Sequence, residues 1–236
     1  MAELSTTDRD RLEQLAERIG HRFDDITLLA RALAHRSWCA ETPGEASNER
    51  LEFLGDAVLG WVVADIAYRD FDDLPEGLLT DLRKSVVNAV DLAQVAEQID
   101  LGPHVLLGKG EAAAGGAEKP SILSDAFEAV LAAVYLYGGT EAARGMVERL
   151  VAPRMAKSVD RLDQLDHKSQ LQELSARLGG GVPVYRLTSS GPDHAKTFTA
   201  EALIDGVVLG RGTGRSKKAA EQGAASEACV AIVDAG

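Results

Sequence analysis

The sequence predicts an α+β protein: an all-helical first part, then a second part built in the order α-β-β-β-α. Three observations carry this. From about Ser5 to Met155 apolar residues recur at spacings of three and four, and strand-like alternation is scarce. After His167 the pattern changes to short alternating runs between two helical ones. The charge balance changes at the same place. Met1–Asp166 holds 17 Lys and Arg against 30 Asp and Glu, a net of −13, whereas His167–Gly236 holds 8 against 7, a net of +1. Such asymmetry marks two parts with different tasks. The predicted division is 5–156 for the helical domain, 157–165 for a linker, and 166–234 for the second domain.

In the first part, Leu12, Leu15 and Ile19 define one helical stripe, and Leu28, Leu29, Ala32 and Leu33 a second. Loops are expected at Glu41–Ser47, Phe71–Gly77 and Gly108–Pro120, the last a mobile connector through Ala112-Ala113-Ala114-Gly115-Gly116. Pro153 and the polar stretch Lys157–Asp166 read as a helix end followed by the linker. In the second part His167–Leu178 reads as a helix, with Leu171, Leu174 and Leu178 on one face and Gly179-Gly180-Gly181 as its stop. Strands follow over Val182–Ser189, Thr197–Ile204 and Val207–Gly212, with Asp205-Gly206 as a tight hairpin turn. A last helix covers Ser216–Val233, capped by Ser216. Two helices can cover one face of a three-stranded antiparallel sheet.

The 236 residues are 45% hydrophobic and 26% charged, the balance of a globular chain. The N-terminus is a charged amphipathic helix and not a secretory signal, and apolar runs such as Ala57–Ala64 are far too short to span a membrane. Cys39 and Cys229 lie near opposite ends and suggest neither a disulfide framework nor a zinc site, so a reduced cytoplasmic protein without membrane attachment is expected. A net charge of −12 argues against a uniformly basic nucleic-acid binder. It leaves room for one whose cations are clustered.

The acids have a pattern. In NERLEFLGDAVLG (48–60) a helix puts Glu49, Glu52 and Asp56 on one face, with Arg50 the single cation of the segment. In LSDAFEAVLAAVYL (123–136) Asp125 and Glu128 share a face at the mouth of an otherwise apolar helix. If the two helices pack, four or five carboxylates converge. Hard oxygen ligands without His or Cys suit Mg2+ or Mn2+ and not zinc, and such ions assist displacement at phosphorus. Taken alone, acids at this spacing also describe a solvated helix surface, and Asp125 and Glu128 lie close enough to Pro120-Ser121 to favour a helix N-terminus electrostatically.

NERLEFLGDAVL resembles, nearly residue for residue, the signature of the ribonuclease III family, and LSDAFEAVLAAVYL resembles that family's second acidic motif. The resemblance covers nearly the whole chain. It implies a homodimeric Mg2+-dependent endoribonuclease (Mn2+ able to substitute) that cuts both strands of duplex RNA. The products would carry 5′-phosphates, 3′-hydroxyls and short 3′ overhangs, and the substrates would be rRNA precursors and some mRNAs. It implies Glu52, Asp125 and Glu128 as metal ligands, Asp56 as the holder of water at the metal, and Asp56 with Glu128 as the catalytic pair. Glu49 would line the same cleft as a supporting acid. Phe53 matches the aromatic that anchors the family's dimer in a socket of the partner subunit. In the run Pro75-Glu76-Gly77-Leu78 the chain departs from relatives that carry an acid where Leu78 stands; Glu76 and Asp81 are the nearby acids available in its place.

The second part offers polar groups at the start of its first helix (Lys168, Gln170, Gln172, Glu173). A loop, Gly191–Phe198, contains His194 and Lys196. The run Gly212-Thr213-Gly214-Arg215-Ser216-Lys217-Lys218 leads into a helix N-terminus, where backbone N–H groups and two lysines can clamp phosphate. Antiparallel strands before this run exclude a dinucleotide fold, and the spacing of a triphosphate-binding loop is absent. GPDHAKTF and SKKAAEQGAA together resemble the double-stranded-RNA-binding domain. That resemblance implies shape readout over about 16 bp of duplex. His194 and the loop backbone would reach the minor groove, and Lys217 and Lys218, with Arg215, would meet phosphates across the major groove.

Overall fold

The computed structural model describes residues 5–163, 167–192 and 196–234. Its backbone divides into two compact units, Met1–Val159 and Asp160–Gly236.

Among its described residues the first unit is built of helices, with one isolated bridge between Ala34 and Leu106. Helix α1 (Thr6–Ile19) is capped by the Ser5 hydroxyl, which accepts from the Asp8 N–H, and buries Leu12, Leu15, Ala16 and Ile19. Short helices α2 (Thr27–Ala32) and α3 (Arg36–Glu41) follow. Helix α4 (Glu49–Asp70) carries the first acidic motif, α5 (Glu76–Val86) and α6 (Ala89–Gln98) come next, and α8 (Pro120–Leu150) carries the second acidic motif. Helix α8 is the centre of the unit. Every residue from Ala129 to Val134 is buried, as are Ile122, Leu123 and Phe127. A helix this apolar has the length and composition of a membrane span, yet here it is a core helix wrapped by α4, α6 and α2. It bends at Gly139, whose φ of 76° and ψ of −170° only glycine adopts at low cost.

The stretch Gly108–Pro120, expected as a mobile connector, is instead ordered by hydrogen bonds. Helix α7 (Lys109–Ala113) and a 3₁₀ turn (Gly116–Glu118) occupy it. Gly108 N donates to Ser37 Oγ at 3.0 Å, Lys109 N to Glu41 Oε1 at 2.8 Å, and Lys119 Nζ meets Glu111 Oε1 at 2.5 Å. Glycine-rich composition marked a turn here, but side-chain partners distant in sequence fix its shape. The polar stretch after Pro153 also differs from expectation. Helix α9 (Ala152–Asp163) runs through most of it, with Pro153 in the first turn, where a missing N–H costs nothing, and Met155 and Ser158 turned inward.

The second unit has helix α10 (His167–Arg177), strands β1 (Val184–Ser190), β2 (Thr197–Ile204) and β3 (Val207–Gly214), and helix α11 (Lys217–Asp234). The sheet is antiparallel in the order β1-β2-β3. Asp205 (φ 51°) and Gly206 (φ 82°) make the β2–β3 turn with both central residues left-handed, as the Asp-Gly pair predicts. The Ser216 hydroxyl accepts from the Ala219 N–H at 3.1 Å, which caps α11. One sheet face packs Ala200, Ala202 and Ile204 against Leu171 of α10 and Ala220, Ala224, Ala225 and Ala228 of α11, while Ala219 remains exposed. Strand β3 approaches α11 so closely that a side chain at Gly210 or Gly212 would collide with the helix backbone. The opposite, helix-free face carries a cross-strand ladder in which Glu201 accepts from Arg186 and Arg211, each at 3.0 Å.

Candidate active site

Two devices bring the acidic motifs together. The first is Asn48, buried at the head of α4. Its backbone N–H donates to Ala34 O at 2.8 Å and its side-chain amide to Ala32 O at 3.2 Å, which fixes where α4 begins. Glu52 lies one turn in, its N–H donating to Asn48 O at 2.9 Å. The second is Gly55. A Cβ there would occupy the position of the Glu128 backbone carbonyl, so only glycine lets α4 come this close to α8. One carboxylate oxygen each from Glu52, Asp125 and Glu128 consequently lies within 4.8 Å of the others, all three half-buried. Ser124, itself buried, donates to Ser121 O at 2.9 Å and lies 3.3 Å from Asp125 Oδ1, beside the ligand it precedes.

The electrostatics follow from this crowding. Burial pushes the Glu128 carboxyl up to about 8, with further upward contributions from Asp56, Asp125 and Glu52. Glu52 is also raised, by burial first and then by Asp125 and Glu49; Arg36 opposes the shift and Asp56 adds to it. Asp56 is exposed one turn beyond Glu52, close enough to act on both. Four like charges held this near one another, three of them half-buried, cannot all ionise cheaply without a cation among them. The donor set is oxygen only, so the residues present fit a hard divalent ion such as Mg2+.

Other residues singled out in the sequence are placed differently. Glu49 stands outside the three-residue group and accepts from Ser47 Oγ at 2.6 Å. Phe53 points outward from α4 and is 81% exposed. Leu78 is half-buried on α5, and the exposed Glu76 accepts from Thr80 Oγ1 at 2.9 Å. Asn48, Gly55 and Ser124 were not legible as positioning residues, although all three stand inside the two motifs that were.

In the second unit Lys217, Lys218, Arg215, Lys196 and Gln172 are all exposed, the first two at the N-terminus of α11. Lys168 is engaged within the fold: its Nζ meets Glu221 Oε2 at 2.7 Å and stands 4.5 Å from the centre of the Tyr185 ring, and its N–H donates to Gln222 Oε1 at 3.1 Å. It ties α10 to α11. His194 lies outside the described residues. Cys39 and Cys229 are both free thiols, one in each unit.

An acid-lined helical domain joined to an α-β-β-β-α domain with a lysine-bearing helix N-terminus defines a class: a nuclease-like domain with an appended RNA-binding domain. The comparisons with known proteins agree. A family model described as Ribonuclease-III-like matches residues 25–155, and one described as Double-stranded RNA binding motif matches 167–230. Ribonuclease 3 of Streptomyces coelicolor is 53% identical over 214 residues, covering 91% of this chain and 77% of that one. Ribonuclease 3 of Thermobifida fusca is 51% identical, covering 87% and 85%. The solved nuclease domain of the Campylobacter jejuni ribonuclease III, in which a region involved in dimer formation has been described, superposes with a TM-score of 0.56. It is 42% identical and covers 59% of this chain and 94% of that one. The chain belongs to the ribonuclease III family.

Proposed function

We propose that this chain is an Mg2+-dependent endoribonuclease that works as a homodimer on double-stranded RNA, leaving 5′-phosphate and 3′-hydroxyl ends, with rRNA precursors and structured mRNAs among its substrates. The observation that carries the reading is the group Glu52, Asp125 and Glu128, three carboxylates converging within 4.8 Å on two packed helices. Family membership and the duplex-RNA-binding motif over 167–230 supply the substrate class.

Each residue has a task that its surroundings support. Glu52, Asp125 and Glu128 would hold the ion, which when bound supplies positive charge at the phosphate and a more acidic water. Glu128 holds a proton on its carboxyl near neutral pH in the metal-free site and releases it when the negative field around it is neutralised. Asp56 is exposed beside the cluster, where its carboxylate can orient water or accept a proton. Lys217, Lys218 and Arg215 supply clustered cations in a second part of net +1, where the first part carries a net −13. Phe53 offers an exposed aromatic side chain to a second copy, fitting the anchor of a dimer.

Incubation of the purified chain with a duplex RNA tests the reading directly. Fragments bearing 5′-phosphates should form with Mg2+ and not with a chelator present. Retention of intact duplex in Mg2+, with binding preserved, would leave only an RNA-binding protein.

A further inference from the structure

Glu52 lies in the first turn of α4 and Asp125 in the second turn of α8, so both stand near the N-terminal ends of their helices. Gly55 and Glu128 fix the two helices where their backbones meet. Upstream of that contact, repulsion between the carboxylates pushes the two ends apart as long as no cation lies between them. A tie across the ends has to oppose it.

The segment from Ala32 to Glu41 is that tie. On one side it holds the start of α4: Ala34 O accepts from Asn48 N at 2.8 Å, and Ala32 O from the Asn48 side-chain amide at 3.2 Å. On the other side it holds the chain that leads into α8. Leu106 N donates to Leu33 O at 2.8 Å and Leu106 O accepts from His35 N at 3.1 Å, which makes the isolated parallel bridge. Two residues further, Gly108 N donates to Ser37 Oγ at 3.0 Å and Lys109 N to Glu41 Oε1 at 2.8 Å. Gly108 is pressed so closely on α3 that a Cβ there would lie 2.5 Å from Ser37 O. The ion pair of Lys119 with Glu111 closes the stretch, and Lys119 O accepts from Leu123 N at 3.0 Å in the first turn of α8.

His35 governs the middle of this tie. It is half-buried and caps α3, its Nδ1 lying 3.3 Å from Ser37 N. A backbone N–H can only donate, so Nδ1 is the bare acceptor and the ring hydrogen sits on Nε2. Nδ1 is also 2.8 Å from Ser37 Oγ. The hydroxyl hydrogen therefore turns towards the ring, which leaves the Oγ lone pairs for the Gly108 N–H. Without that acceptor the hydroxyl rotates freely, and Gly108 loses an oriented partner.

We propose that His35 is a positioning residue of the metal site: through Ser37 and Gly108 it holds the N-terminal ends of α4 and α8 together against the repulsion of Glu52 and Asp125, and so sets the acids for an ion before one binds. This rests on the metal-site reading and adds to it a residue that acts without touching the ion. A site assembled in advance binds more tightly, because none of the binding energy goes into drawing the carboxylates together. At saturating metal the ion itself supplies that attraction. Loss of His35 should therefore show in the metal requirement more than in the rate at saturation.

The test uses the full chain. Mn2+ is titrated calorimetrically without RNA, melting is followed in chelator and in Mn2+, and single-turnover cleavage of a duplex is followed against Mg2+ concentration. H35Q, whose amide reaches past the Nδ1 position, should weaken Mn2+ binding by about tenfold or more, the loss typical of a group that supports a metal ligand. The Mg2+ concentration for half-maximal cleavage should rise by the same factor, and the Mn2+-induced rise in melting temperature should shrink. The rate at saturating Mg2+ should stay within about threefold. H35N, whose side-chain oxygen can stand where Nδ1 stands and cap α3, should recover most of the affinity. S37A should match H35Q, and combining the two should add little, because one path carries both effects. Unchanged Mn2+ affinity in H35Q and S37A, with only a lower melting temperature in chelator, would make the network part of the fold alone and overturn the proposal. Equal losses in H35N and H35Q would overturn it too, since the acceptor at Nδ1 would then not matter. If H35Q does not fold, S37A decides by the same readings. A wild-type protein that binds no Mn2+ would strike the metal-site reading itself, and this proposal with it.

Discussion

Gly55 on α4 and Glu128 on α8 meet backbone to backbone: there is no room for a Cβ between them. Glu52 and Asp56 flank Gly55 in sequence, so this one close approach sets the distance from both to Glu128. Gly55→Ala should force the helices apart or strain them, lowering stability by about 1–3 kcal/mol as overpacked cores do. Thermal unfolding should show a lower melting temperature, and cleavage should fall further than the lost stability explains. A variant with the parent melting temperature and rate would mean that the acids do not depend on this contact.

The crowded carboxylates predict a pH dependence. Glu128 titrates near 8 in the folded chain and near its ordinary 4.5 when unfolded. Between these values the folded state holds the extra proton, so metal-free stability is fully present below about pH 4.5 and declines as pH rises towards 8. Glu52, also raised, adds in the same direction. Melting in chelator should therefore fall from pH 5 to pH 8, with a shallower slope in excess Mg2+. A melting temperature that rises across this window in chelator would contradict the burial and repulsion described for Glu128.

A phosphate clamp at Lys217 and Lys218, as proposed above, predicts an ionic signature. Lys217→Ala with Lys218→Ala should weaken binding to every duplex sequence alike. Each lost phosphate contact should reduce the slope of log K against log salt by about 0.7–0.9. Affinity titrations at several salt concentrations would show it. An unchanged slope would leave these lysines as solvated surface.

Much of this was legible in the chain itself. The acids of α4 and α8 lie in a long motif with helical spacing, and β2, β3 and their Asp205-Gly206 turn follow from alternation and turn chemistry. What was not legible depends on contacts distant in sequence. The 108–120 stretch reads as mobile because its composition is Ala and Gly, yet Ser37 and Glu41 pin it from some seventy residues away. Helix α9 was hidden because its polar run reads as linker when the inward spacing of Met155 and Ser158 is overlooked. Lys168 was singled out by its position at the start of α10; its ion pair with Glu221 on α11 depends on a contact distant in sequence. Gly55 looked like one glycine among many; its role appears only when α8 is packed against it.

The most direct measurement replaces Glu128 by Gln and follows one duplex in two arms, gel-shift affinity in Ca2+ and cleavage in Mg2+ at saturating protein. Gln keeps the shape but removes the charge that holds a hard ion and the carboxyl that can release and accept a proton. Losing one like charge from a crowded site leaves the fold intact or slightly more stable. Binding should stay within about twofold, because the clamp proposed at Lys217 and Lys218 lies in the other unit, while cleavage disappears. Cleavage by Glu128→Gln at near the wild-type rate would contradict the assignment of Glu52, Asp125 and Glu128 as the metal site.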